Sequence, residues 1–186
     1  MSECPKISIV VYGSVLNPED LNELLDGVSG RVSPVRVSGF KRIFNQEASW
    51  RETNDDQRAV LNVVQSPNSW FNGVLIKDLS RREFREIQDR ERGYRFIEIE
   101  AEQIEYYEES DVATGAIDGA LGSPIEQDLI LTTTGKKVNP SISPIPDYVT
   151  VCKEGAESWG QTFFEDFIHT TETNAGDTLS EGIDSE

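Results

Sequence analysis

Phe84, Ile87 and Glu91 are spaced three and four residues apart, which sets them on one face of a predicted helix, with a carboxylate as the last of the three. That face is expected to be buried. Glu91 then sits in the last helical turn, where loss of water and the negative end of the helix dipole both oppose its charge. Both effects raise its pKa toward neutrality, the property a group needs to take and return protons. A structural ion pair with one of Arg81, Arg82, Arg85, Arg90, Arg92 or Arg95 is the competing reading. Tyr12-Gly13-Ser14 is the second segment of chemical interest, because a glycine loop between a strand and a helix can turn backbone N–H groups toward an anion or a carbonyl oxygen. Gly13 equally suits a tight turn, and Ser14 a simple backbone cap.

Other chemistries fit less well. Ser14 and the sole histidine, His169, lack the Gly-x-Ser-x-Gly frame of a hydrolase nucleophile. Cys4 and Cys152 are too far apart in sequence to form a zinc or redox motif, and imidazole and thiolate ligands are too few for a metal site of that kind. An oxygen-only cation site stays open among 34 acidic residues. Phosphate-loop and dinucleotide fingerprints are absent. Trp159, Phe163, Phe164 and Phe167, at helical spacing, read as core.

The elements that must position these residues are readable in part. Lys6–Val11 is a short β-branched apolar run and predicts a buried strand ending at Gly13. Asn17-Pro18-Glu19-Asp20 starts a helix with a side-chain cap, a proline at the first position and two acids at the positive dipole end. Arg31–Phe44 predicts one or two strands interrupted by Pro34 and Gly39, and Gln46–Arg58 a loop. Ala59–Gln65 and Trp70–Ile76 predict two strands joined in a hairpin by Ser66-Pro67-Asn68-Ser69. Ser80-Arg81-Arg82-Glu83 is a capping box, with Leu79 and Phe84 as its hydrophobic staple, opening a helix to about Arg92 that Gly93 would close in the left-handed conformation. Tyr94–Glu100 reads as a strand, Glu108–Gln127 as a loop and Asp128–Leu131 as a short strand. Two apolar helices follow, separated at Gly160.

The 186 residues suit a single domain over 1–170, with an acidic, unstructured tail over 171–186. A formal charge of −17 repels phosphate backbones and anionic lipid heads, so neither nucleic acid nor membrane is an expected partner. The longest apolar run is far below the roughly 20 residues of a membrane helix, and no leader precedes it, so a cytoplasmic location is expected. The acidic excess also suits a salt-rich interior, where screening relieves self-repulsion.

Several segments together resemble the gamma-glutamylcyclotransferase-like (AIG2-like) family. They are Val10–Leu16, Val37–Arg42, Ala59–Val64, Trp70–Leu75, Glu91-Arg92-Gly93-Tyr94, and Tyr148–Thr171 with Cys152, Ala156, Trp159-Gly160 and Phe163–Phe167. The resemblance implies an α+β fold, a small mixed β-barrel of about five to seven strands with flanking helices. It implies a loop at Tyr12, Gly13, Ser14, Val15 and Leu16 that binds substrate through backbone groups, and Glu91 as the acid/base; beside them, the Tyr94 hydroxyl is expected to hold either Glu91 or the substrate. It implies as substrate a small molecule with a γ-glutamyl group, cyclised to 5-oxoproline without cofactor or metal. Val15 stands where many members have asparagine, and Gln88 where many have aspartate. Those two departures keep open a non-catalytic small-molecule-binding or regulatory domain with the same pocket.

Overall fold

The computed structural model describes residues 6–28, 30–48, 56–112 and 129–180. Cys4, most of the segment expected as a loop at 108–127, and residues 181–186 lie outside them. Two long strands dominate. β2 (Val32–Glu47) and β3 (Gln57–Ile76) pair antiparallel along nearly their whole length, and β1 (Ile7–Val11) lies on the far side of β3. On its other edge β1 pairs in parallel with β6 (Leu129–Gly135), which in turn pairs antiparallel with β4 (Tyr94–Glu98); β5 (Ile104–Tyr106) closes the opposite edge beside β2. The order β4-β6-β1-β3-β2-β5 leaves the sheet open, so in place of the expected barrel the described residues form a mixed sheet of eight strands, the last two being the short β7 (Ser143–Pro144) and β8 (Thr171–Glu172).

Among the described residues four α-helices complete the α+β fold: α1 (Pro18–Leu24), α2 (Arg81–Arg90), α3 (Pro146–Glu157) and α4 (Gln161–Thr170). Asn17 caps α1 by accepting from Glu19 N at 3.0 Å, and Pro18 occupies its first position. Trp159, Phe163 and Phe167 are fully buried, as the core reading of that cluster requires.

Three expectations are corrected. Pro34 does not interrupt β2: its carbonyl accepts from Tyr107 N, so its missing N–H falls on that same side, just beyond the β5 ladder at Val35–Val37, and no bond to β3 is lost. Ser66–Ser69 is not a hairpin turn. Ser38 faces Trp70 and Phe40 faces Gln65, so Gly39 alone opposes all four residues and β3 arches outward before resuming its direction. Gly39 has φ 88°, and a Cβ there would lie 2.8 Å from Gln103 Nε2. Finally, the segment expected as an unstructured tail from 171 is folded as far as Ser180: β8 runs parallel to β2, and Leu179 is buried.

The capping box of α2 forms in both directions, Ser80 accepting from Glu83 N and Glu83 from Ser80 N. Gly93 is not in the left-handed region; Glu91 is the C-cap, and its N–H donates to Ile87 O. Glu83 also accepts from Asp26 N and from both terminal nitrogens of Arg31, at 2.8–3.0 Å. Burial opposes its charge, but these donors outweigh it and hold the carboxyl at about 2 against an ordinary 4.5. Below pH 4.5 the unfolded carboxyl takes up a proton that the folded one refuses. The stability this group supplies above 4.5 is therefore lost as pH falls toward 2. Acid titration of the unfolding midpoint should show a shallower loss over that window in Glu83→Gln.

Candidate active site

β1 ends at Val11, and the chain turns through Gly13 into one 3₁₀ turn, Ser14–Leu16, before α1. Three contacts clamp this loop. Trp159 Nε1 donates to Leu16 O at 2.8 Å. Gly155 lets α3 press against the turn, since a Cβ there would be 3.1 Å from Asn17 N and 3.2 Å from Leu16 Cβ. Arg42 Nη1 donates to Tyr12 O at 3.4 Å from beneath. The Tyr12 side chain is itself fixed, donating to Thr133 O at 2.9 Å and accepting from Thr133 Oγ1 at 3.2 Å.

The loop forms one wall of a cavity of about 110 Å³, in which Tyr12, Gly13, Ser14 and Val15 meet Glu91 and Tyr94. Leu16, expected as a ligand contact, is not at the cavity: it is fully buried, and its carbonyl is spent on Trp159. No hydrogen bond within the described residues engages the N–H groups of Gly13, Ser14 or Val15, whereas Leu16 N is held by Gly13 O at 3.1 Å. Three residues of the cavity wall thus carry backbone donors with no partner among the described residues.

Glu91 reaches the cavity from the end of α2, with Ile87 buried one turn before it and Phe84 packed on Phe96 at 5.3 Å between ring centroids. Among the described residues no arginine lies within ion-pair distance of its carboxylate. Two of the arginines of α2 and its C-terminal turn are paired elsewhere, Arg82 with Asp26 and Glu86 and Arg92 with Asp89, while Arg90 lines the cavity without reaching ion-pair distance of Glu91. Loss of water raises the Glu91 pKa from 4.5 to about 7, and the neighbouring Arg90 only partly offsets this.

Tyr94 lines the cavity, but its hydroxyl donates to Leu61 O at 2.5 Å and not to Glu91. Tyr148, from the first turn of α3, also borders the site; a Cβ on Gly13 would sit 3.0 Å from its hydroxyl, so glycine is what allows this approach. Periodicity places Tyr148 only on an apolar stripe. Its polar tip at the start of a helix was the available signal. Burial raises the pKa of Tyr12, Tyr94 and Tyr148, so three neutral tyrosines surround the one carboxyl. Gln88 and Asp89 are exposed on α2, and neither lines this cavity. A second cavity of about 230 Å³ adjoins it through Val60, Arg90 and Tyr94. Among the described residues, no cluster of three His, Cys, Asp or Glu side chains is placed to hold a metal ion, and no helix is long and apolar enough to cross a membrane.

Neither a protein-family model nor a curated protein matches the chain. Solved structures do. YkqA from Bacillus subtilis is 16% identical over 97% of this chain, with a TM-score of 0.61, and this chain spans 55% of its length. A gamma-glutamyl cyclotransferase is 19% identical over 95% of each chain, with a TM-score of 0.57. A yeast gamma-glutamyl cyclotransferase specific to glutathione is 13% identical over 89% of this chain and 97% of its own, with a TM-score of 0.52. The open mixed sheet with its flanking helices therefore has the gamma-glutamyl cyclotransferase-like fold.

Proposed function

We propose that the cavity takes a γ-glutamyl compound and cyclises it to 5-oxoproline, releasing the amine or amino acid it carried. The observation that carries this reading is an unpaired carboxyl, its pKa raised by burial to about 7, in a cavity lined by the residues Gly13, Ser14 and Val15, whose backbone N–H groups have no partner among the described residues. In its ionised form Glu91 accepts a proton from the substrate's α-amine as the nitrogen attacks the γ-carbonyl carbon. A carbon–nitrogen bond forms, and the carbonyl becomes an oxyanion. Glu91 then returns the proton to the departing nitrogen as the original amide bond breaks. One group of near-neutral pKa serves both transfers, and the proton count closes without a cofactor. The loop N–H groups supply hydrogen bonds to the substrate carboxylate or to the oxyanion, a contribution of several kcal/mol in a water-poor site. The adjoining cavity offers room for the leaving portion.

The test is release of 5-oxoproline from a panel of γ-glutamyl amino acids, γ-glutamyl amines and glutathione, in buffers of high and low salt. Product from at least one compound is expected. A ligand that binds and stays unchanged would replace the enzyme with a binding module.

Arg90 is exposed and lies between the two cavities, where its charge lowers the Glu91 pKa. Arg90→Ala should therefore raise that pKa. The acidic limb of the pH–rate profile, which reports the ionised base, moves to higher pH, and activity at pH 6 falls while activity at pH 9 changes little. An unmoved limb would separate Arg90 from the site.

A further inference from the structure

Arg42 is fully buried under the Tyr12–Leu16 loop, and everything its guanidinium touches is neutral. Nε donates to Thr171 Oγ1 at 2.7 Å; Nη1 to Asn72 O and, at 3.4 Å, to Tyr12 O; Nη2 to Asn72 Oδ1, Thr170 Oγ1 and Phe167 O at 2.8, 3.1 and 3.2 Å. No carboxylate within the described residues pairs with it. The acids nearest in the chain to these partners are committed elsewhere, Asp166 to Arg36 and Tyr107, and Glu172 to Lys41. Burial keeps the ionisable groups around it, Tyr12, Tyr107, Tyr148 and Cys152, in their neutral forms. A cation held only by dipoles is an unbalanced charge in the core of a chain whose net charge is −17.

One of those dipoles leads to the cavity. The Tyr12 carbonyl that accepts from Arg42 belongs to the same peptide group as the N–H of Gly13, a residue that lines the cavity and whose N–H has no partner in the described residues. A positive charge at the oxygen end of a peptide polarises it and strengthens the donor at the other end. We propose that Arg42 is a positioning residue that makes this loop select a carboxylate, the ligand anion resting on the N–H groups of Gly13, Ser14 and Val15 and balancing the buried guanidinium through the Tyr12–Gly13 peptide. The inference rests on the proposed function only in taking this cavity as the ligand site. For a γ-glutamyl substrate the anion is the α-carboxylate, and its fixation sets the α-amine for attack.

The test is calorimetric titration of the full chain with matched pairs that differ in charge: 5-oxoproline against 2-pyrrolidinone, and glutarate against glutaramide. The unchanged protein is expected to bind each carboxylate at least tenfold more tightly than its neutral partner. Arg42→Gln and Arg42→Met should reduce that preference to under threefold, and raise KM for a γ-glutamyl substrate much more than they lower kcat. Arg42→Lys keeps the charge and should keep most of the preference, although an ammonium cannot serve all these acceptors and its melting temperature falls. Equal affinity within each pair, no binding of any carboxylate, or an undiminished preference in a folded Arg42→Gln or Arg42→Met overturns the proposal. If neither neutral variant folds, Arg42→Lys decides: retained preference supports it, and lost preference overturns it. Turnover with an unchanged KM in Arg42→Gln would sink this inference and leave the cyclotransferase reading standing. Carboxylate-selective binding without turnover of any γ-glutamyl compound would do the reverse.

Discussion

Glu91→Gln is expected to lower the rate of 5-oxoproline formation by about 10²–10⁴-fold, the usual share of a positioned acid/base, while the protein becomes more stable at alkaline pH. The two effects share one origin. Burial raises the Glu91 pKa to about 7, so between its ordinary 4.5 and 7 the folded chain holds a proton that the unfolded chain has released. Stability from this group is full below pH 4.5 and is lost as pH rises through about 7, because the ionised carboxylate must then be kept in a water-poor site. Glutamine never ionises. Urea unfolding should therefore give Glu91→Gln a higher midpoint than the unchanged protein at pH 8 and no such gain at pH 4. A variant that is inactive and also less stable at pH 8 would show a misfolded site and not a missing acid/base. Full activity in Glu91→Gln would remove Glu91 from the chemistry altogether.

Trp159→Ala carries the largest expected stability loss among single changes near the site. The indole is fully buried between Leu16 and Phe163, and truncation removes its packing, opens a void and leaves Leu16 O without its donor. A cost of about 3–5 kcal/mol follows. Trp159→Phe keeps most of the ring volume and loses the hydrogen bond to Leu16 O, which at a buried carbonyl costs about 1–3 kcal/mol. In that milder variant the loop loses one of its three clamps, so KM should rise while the fold persists. Equilibrium unfolding and steady-state kinetics on the same preparations check both statements. A Phe variant with unchanged KM would mean that Arg42 and the Gly155 contact hold the loop unaided.

Local chemistry was the legible part of the sequence. Asn17-Pro18 and Ser80–Glu83 announce helix starts because each motif satisfies its own backbone donors, whatever surrounds it. Glu91 stood out because three-four spacing on a capped helix predicts which face is covered. Long-range pairing was not legible. Ser66–Ser69 has turn chemistry that serves a hairpin or an outward arch equally well, and only the register of β2 against β3 distinguishes them. Pro34 disguised a continuous strand in the same way, since its tolerance depends on where β5 ends. Arg42 and Tyr148 were missed as partners of the site because a charged or polar side chain is placed outside by default. Thr171, Phe167 and Thr170, which accept half of the Arg42 hydrogen bonds, are more than 100 residues away in the chain, as is the Gly13 neighbour of Tyr148. Residues 171–180 look acidic and polar, yet Thr171 completes the Arg42 site and Leu179 is buried.

The β2–β3 ribbon joins neighbours in sequence, whereas β1 meets β6, and Arg42 meets Thr171, only after loops of more than 100 residues close. Closing long loops is the slow part of folding, so the ribbon is expected to assemble early and the ligand cavity last. A half-folded molecule would then carry most of its sheet and none of its chemistry. In refolding experiments the return of ligand affinity should lag the recovery of strand signal, which makes binding a reporter of the final step of folding.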